Sequence, residues 1–221
     1  MPCNIGYKKI EKVSIPVPAP QEFKEEAKAP DVDADLLEKI GEDDPVFLEW
    51  LLGADMVPLW SEALRRAAES MDLSGLETRV MSDGRLFVRG MYRDEERRAQ
   101  FQKTTEQLAR RFQMQMLAIV AQLLDYRVVV KEVKSRGGSF VLEGEKDVGL
   151  SVNRYLKIEQ KSGESEIAFE HFESADALDA EEQKFLALAE RFGVKITEKS
   201  SRRSGNPILG TDHHKGFLGE A

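Results

Sequence analysis

Three histidines, one cysteine and 40 acidic residues are the side chains of this chain with the most chemical range. Nucleophilic catalysis needs a Ser, Cys or Thr held beside a base, and His171, His213 and His214 are the only imidazoles on offer. His171 follows Glu170 in a strand-like run, so the two side chains point to opposite faces; His171 then shares a face with Ile167 and Phe169 and reads as a packed or edge histidine. Asp212-His213-His214 lacks the spacing that places metal ligands on one side of a helix or turn. Cys3 lies at the very start and has no second cysteine to pair with. Gly137-Gly138 sits between two strand patterns and serves a turn, whereas a phosphate loop wants its glycines between a strand and a helix N-terminus. No cofactor is expected, and an enzyme or metal protein centred on the histidines ranks behind two binding readings.

Arginine is the more suggestive residue. Arg65-Arg66, Arg97-Arg98, Arg110-Arg111 and Arg202-Arg203 are pairs, and Arg85, Arg89 and Arg93 cluster near one hairpin pattern. If Arg89, Arg93, Arg97, Arg98, Arg110 and Arg111 share one side, they form a patch for phosphates or for an acidic partner. Glu95, Glu96 and Glu106 lie within helical reach of the same arginines, which favours a solvated face laced with local ion pairs. No aromatic residues of the kind that stack bases are interleaved with them.

Charge is unevenly placed. Of 40 acids and 32 bases, 11 acids and 3 bases fall between Glu22 and Glu49, which leaves 29 of each elsewhere. The acidic stretch is a poor phosphate binder, while the neutral remainder retains room for a local basic field. The apolar fraction of 41% suits a folded chain. No run approaches the roughly 18 apolar residues of a membrane span, and the start lacks a basic-then-apolar leader pattern, so a cytoplasmic protein without a membrane partner is expected.

The elements that must position these residues follow from periodicity. Residues 1–30 read as a strand and a Pro-rich linker around Pro16, Pro18 and Pro20. Residues 31–75 read as an acidic helical segment: one helix capped by Asp31 or Asp33 and ended by Gly41, a second behind Asp43 or Asp44 with Pro45 in its first turn, and a third over 57–71. Trp50 and Trp60 read as anchors of this cluster. Residues 76–148 read as hairpin, helix, hairpin, with Asp83-Gly84 as the first turn. In the helix, Leu108, Phe112, Met116, Ile119 and Leu123 form one stripe, and the stretch from Met114 to Leu124 is apolar nearly all round, so it is expected to be covered on several sides. Residues 149–200 read as a hairpin around Ser162-Gly163, a helix capped by Asp176 or Asp179 and ended by Gly193, and a short strand at Val194 and Ile196. Residues 201–221 read as a flexible tail. The class is α+β, with antiparallel hairpins alternating with single helices beside a small N-terminal helical cluster.

The helix-hairpin stretch from Thr104 to Glu145 resembles the C-terminal half of a family of small proteins encoded by cyanobacteria and some plastid genomes. The unit that follows resembles a second such family, through Lys157-Ile158-Glu159, Gly163, Ile167, Phe169, the helix to Leu188, and Gly193 to Lys199. Genes of the two families lie beside each other and near a AAA+ ATPase, so the resemblance implies an adaptor or accessory protein. The second family carries a Cys before its helix and this chain does not, so no role of that thiol carries over. The expectation is a noncatalytic protein that acts by binding another protein, through charged tails or by strand addition at a sheet edge. The alternative partner is nucleic acid, held by the arginine patch. Composition leaves the oligomeric state open.

Overall fold

The computed structural model describes residues 6–17, 30–69, 71–90, 94–133, 139–149, 152–160 and 164–206. Strand β1 (Gly6–Ser14) is followed by three short helices, α1 (Ala34–Asp43), α2 (Pro45–Gly53) and α3 (Val57–Ala68), and by the hairpin β2 (Leu76–Val80) and β3 (Leu86–Gly90). The long helix α4 (Glu95–Leu123) leads into β4 (Arg127–Val133), β5 (Ser139–Lys146), β6 (Arg154–Gln160) and β7 (Ser165–Phe172); α5 (Ala175–Arg191) and β8 (Thr197–Asn206) close the chain. The class is α+β.

Helix ends follow capping chemistry. Asp33 accepts from the amides of Asp35 and Leu36, Asp44 from Phe47, and Asp94 from Arg97 at 2.8 Å. Helix α5 is capped by Ser174, whose hydroxyl accepts from the Ala177 amide, rather than by Asp176 or Asp179. Gly41 does not end α1, which runs on to Asp43. Gly193 does end α5: at φ +79 it donates to the Glu190 carbonyl while Val194 donates to that of Ala189.

One antiparallel sheet holds six strands in the order β4-β5-β6-β7-β1-β8, and β2-β3 stands apart as its own pair. The N-terminal strand thus lies between β7 and β8, so the two sequence units share a single sheet. Helices α4 and α5 pack on the sheet, and α3 packs on α4. The inner face is written in cross-strand rows, one of them Val130, Leu142, Ile158, Ile167 and Glu11, the next Val128, Gly144, Leu156, Phe169 and Lys9. Each apolar row therefore ends on a charged residue of β1. From Phe112 to Ala121 every residue of α4 except Gln115 is buried, as the all-round apolar pattern requires.

Two further readings of the sequence are corrected. The last strand begins at Thr197 and extends to Asn206, so residues 201–206 pair with β1 instead of belonging to a loose tail; polar residues suffice because an edge strand is held by its backbone bonds. Trp60 is buried, its indole N–H donating to the Phe192 carbonyl at 3.2 Å, but Trp50 is 41% exposed beside Phe47.

The Asp83-Gly84 turn packs against Trp60. A Cβ on Gly84 would meet the indole at 2.7 Å, and the backbone there has φ +81. Gly75 has φ +80 with nothing within 4 Å of its Cβ position. Gly84→Ala and Gly75→Ala share the backbone strain, of about 1 kcal/mol. Gly84→Ala adds the ring collision and should lower the midpoint of denaturant unfolding clearly more than Gly75→Ala.

Candidate functional site

The arginines named from sequence do not gather. Arg89 projects from β3 and is exposed; Arg97 and Arg98 are exposed in the first turns of α4, beside Asp94 and Glu95 at 3.9 and 3.5 Å. Arg110 and Arg111 follow about 20 Å further along the same helix. Arg93 lies outside the described residues, as do Cys3, His213, His214 and both turn segments at Gly137-Gly138 and Ser162-Gly163.

Arg111 is the member of the set that enters a site. Its Nη2 meets Glu132 of β4 at 2.5 Å, its guanidinium lies 5.9 Å from the centroid of the Phe140 ring, and only 15% of its side chain is exposed. Arg66 of α3 approaches from the other wall, held by Glu62 at 2.7 Å and by Gln122 at 2.8 Å. Between them lies a cavity of about 210 Å³ lined by Arg66, Arg111, Met114, Val130, Glu132 and Phe140. Its charged walls and apolar floor suit a side chain or small ligand with an apolar body. Sequence reasoning named Arg111 and Arg66 but could not bring them together, because four elements, α3, α4, β4 and β5, build the cavity.

That cavity lies beside an open sheet edge. Among the described residues, strand β4 is paired on one side only. Its residues Val128, Val130 and Glu132 turn toward the helices, while Arg127, Val129 and Lys131 are exposed, Val129 by 55%. Lys131 pairs with Glu143 at 2.6 Å, and no ion pair ties Arg127 among the described residues. An alternating run with a free edge is the raw material of strand addition.

Two further charged clusters were not foreseen. At the β1 end, Lys9 is 2.5 Å from both Glu11 and Glu182, Arg203 bonds Asp179 and lies 3.7 Å from Glu182, and Glu198 is 3.9 Å from Lys9. Four carboxyls here share two cations. Burial, partly offset by the hydrogen bond from Lys9 and reinforced by the Glu182 charge, pushes the Glu11 carboxyl up to about 7. One residue before Glu182 on α5, Glu181 receives Lys146 at 2.8 Å and Arg154 at 3.0 Å, and Arg154 also bonds Glu173. Burial first, then the Glu181 charge, pushes the nearby Tyr126 phenol up. Cations and carboxylates balance in this second cluster, which ties β5, β6 and α5 together. The faint sequence signal for both was the charged residues Lys9, Glu11, Lys146 and Arg154 at inward positions of strands.

His171 departs from its expected face. It has φ +67, which lets Phe172 return to the core behind Phe169, and its ring sits 6.4 Å from that of Tyr155. The opposing Gly6, at φ +78, is so close that a Cβ would meet the His171 Cα at 2.9 Å. This bulge turns the imidazole away from Ile167 and Phe169. Among the described residues no three His, Cys, Asp or Glu side chains are grouped to hold a metal ion, and no helix is long and apolar enough to cross a membrane.

No family model, curated protein or solved structure matches the chain.

The Glu11 environment sets a pH dependence. The folded protein holds a proton on Glu11 up to about pH 7, whereas the unfolded chain releases it near the ordinary value of 4.5. The raised group adds stability that is fully present below its unfolded value and is lost as pH rises through about 7. Thermal unfolding followed from about pH 5 to about pH 8 should show the midpoint falling, and Glu11→Gln should flatten that slope while leaving the circular dichroism spectrum unchanged. An equal slope in Glu11→Gln would refute the assignment.

Proposed function

We propose that the protein is a noncatalytic, cytoplasmic adaptor that acts by binding another protein, with the open edge of β4 as the contact. The observation that supports this reading is the juxtaposition at that edge. A strand paired on one side only among the described residues carries an exposed Val129 on its outer face and, on its inner face, the cavity floored by Val130 and Phe140. Elsewhere in the six-stranded sheet the large apolar side chains among the described residues are at least partly covered. A partner strand would satisfy the outward amides and carbonyls of β4 and cover that valine. The resemblance of residues 104–199 to proteins encoded beside a AAA+ ATPase suggests such an ATPase, or a protein it handles, as the partner.

The nucleic-acid alternative loses ground to the placement of the arginines. Arg97 and Arg98 stand beside carboxylates on an exposed helical turn, and Arg111 is engaged with Glu132. Phosphate binding works best where several cations track one backbone.

The test is capture from native lysate by tagged full-length protein, with and without nuclease, beside the Val129→Lys variant. A protein retained after nuclease and reduced several-fold by Val129→Lys is the expected outcome. Recovery of nucleic acid alone, or of a protein that binds Val129→Lys as well as wild type, would overturn the reading or its placement.

A further inference from the structure

The adaptor reading leaves the chemistry of the partner open, and the β4 edge narrows it. Along this edge the chain runs Arg127-Val128-Val129-Val130-Lys131: three valines flanked by cations. Arg127, Val129 and Lys131 lie on the outer row, and Val128 and Val130 on the inner row. Resting on that reading, we infer that the edge accepts an extended segment in which three apolar, β-forming residues are flanked by acids.

The argument is one of cross-strand pairing. Residues opposite one another in an added strand share a face and sit about 5 Å apart, so like charges repel and opposite charges attract. A segment with acids opposite Arg127 and Lys131 satisfies both cations. Arg127 makes no ion pair among the described residues, so its pairing is gained without breaking another; Lys131 shares itself with Glu143. The central apolar residue covers Val129, the most exposed apolar side chain of the sheet. The flanking two turn inward beside Val128 and Val130, where the cavity offers Met114 and Phe140.

A second copy of this chain fits the same edge poorly. Antiparallel pairing that sets the valines against one another, centred on Val129, places Arg127 opposite Lys131 twice. Shifting the centre to Val130 sets Glu132 against Val128 and Lys131 against Val129, which leaves each charge facing an apolar residue. Charge therefore selects a foreign acidic strand over self-association.

The test uses full-length protein and three short fluorescein-labelled peptides. One has the core Glu-Val-Val-Val-Glu, one Lys-Val-Val-Val-Lys, and one Glu-Val-Pro-Val-Glu, whose proline removes a backbone donor and resists extension of the ladder. Anisotropy should show the acidic valine peptide binding about tenfold more tightly than either other peptide. Its amide shift changes should centre on residues 127–133. Arg127→Gln with Lys131→Gln, both exposed and neutral in charge, should abolish the preference for the acidic peptide, and Arg127→Glu with Lys131→Glu should reverse it toward the lysine peptide. Equal binding of the acidic and lysine peptides, equal binding of the proline peptide, or a dimer that the Gln pair dissolves would overturn the inference. The two readings fail separately. A lysate protein that binds the Gln pair as well as wild type yet is lost in Val129→Lys keeps the adaptor and its edge while removing the acidic strand. If the lysate yields no protein partner, the adaptor reading fails whatever the peptides do.

Discussion

Burial of α4 is the constraint on which the rest of the structure depends. A helix whose C-terminal half is apolar nearly all round cannot lie on a surface, because its outward face would remain in water. It is covered on one side by the sheet and on the other by α3, with α5 alongside. Leu108, Met114, Leu117, Val120 and Ala121 are all fully buried in consequence. Whereas α1 packs on α2 and α5, helix α3 and the β2-β3 hairpin are held in place by the same demand. Trp60 joins them by packing against the Gly84 turn while its indole bonds the end of α5.

The sheet meets a second constraint at its ends. Its inner rows are apolar in the middle and charged where helix cover meets the outer strands: Glu132 with Arg111 on one side, Lys9, Glu11 and Arg203 on the other. Charges taken out of water are tolerable only when paired. Both ends solve this by drawing partners from helices, Arg111 from α4 and Glu182 and Asp179 from α5. The solutions differ in quality. The β4 end is a single close pair beside an open cavity, whereas the β1 end carries more carboxyls than cations, and burial among them pushes the Glu11 carboxyl up to about 7.

The two edges of the sheet differ in what they would offer a neighbouring strand. Strand β8 is polar along its whole length, with Arg203 tied back to α5, and offers a newcomer little to bury. Strand β4 has valines on both faces and a cavity behind them. The proposed contact accordingly lies at the edge where apolar cover and charge selection coincide.

Periodicity alone determined most of the secondary structure, because helix and strand periods are local properties of side-chain spacing. The three hairpins, the long helix with its buried half, the Asp-led caps on α1 and α2 and the α+β class were legible in this way. Where local signals competed, the sequence misled: Asp176 and Asp179 outshone Ser174 as a cap, and the polar run after Ser200 concealed a strand whose backbone finds its partner in β1. The arginine pairs were visible as residues but not as a site. Their spacing along one helix set Arg97 and Arg111 far apart, and only packing brought Arg111 to Glu132 and Arg66. That β1 would insert between β7 and β8, and that β4 would be left as an edge, was likewise decided by tertiary structure. Strand order depends on contacts between residues more than 100 positions apart, and no local period records them.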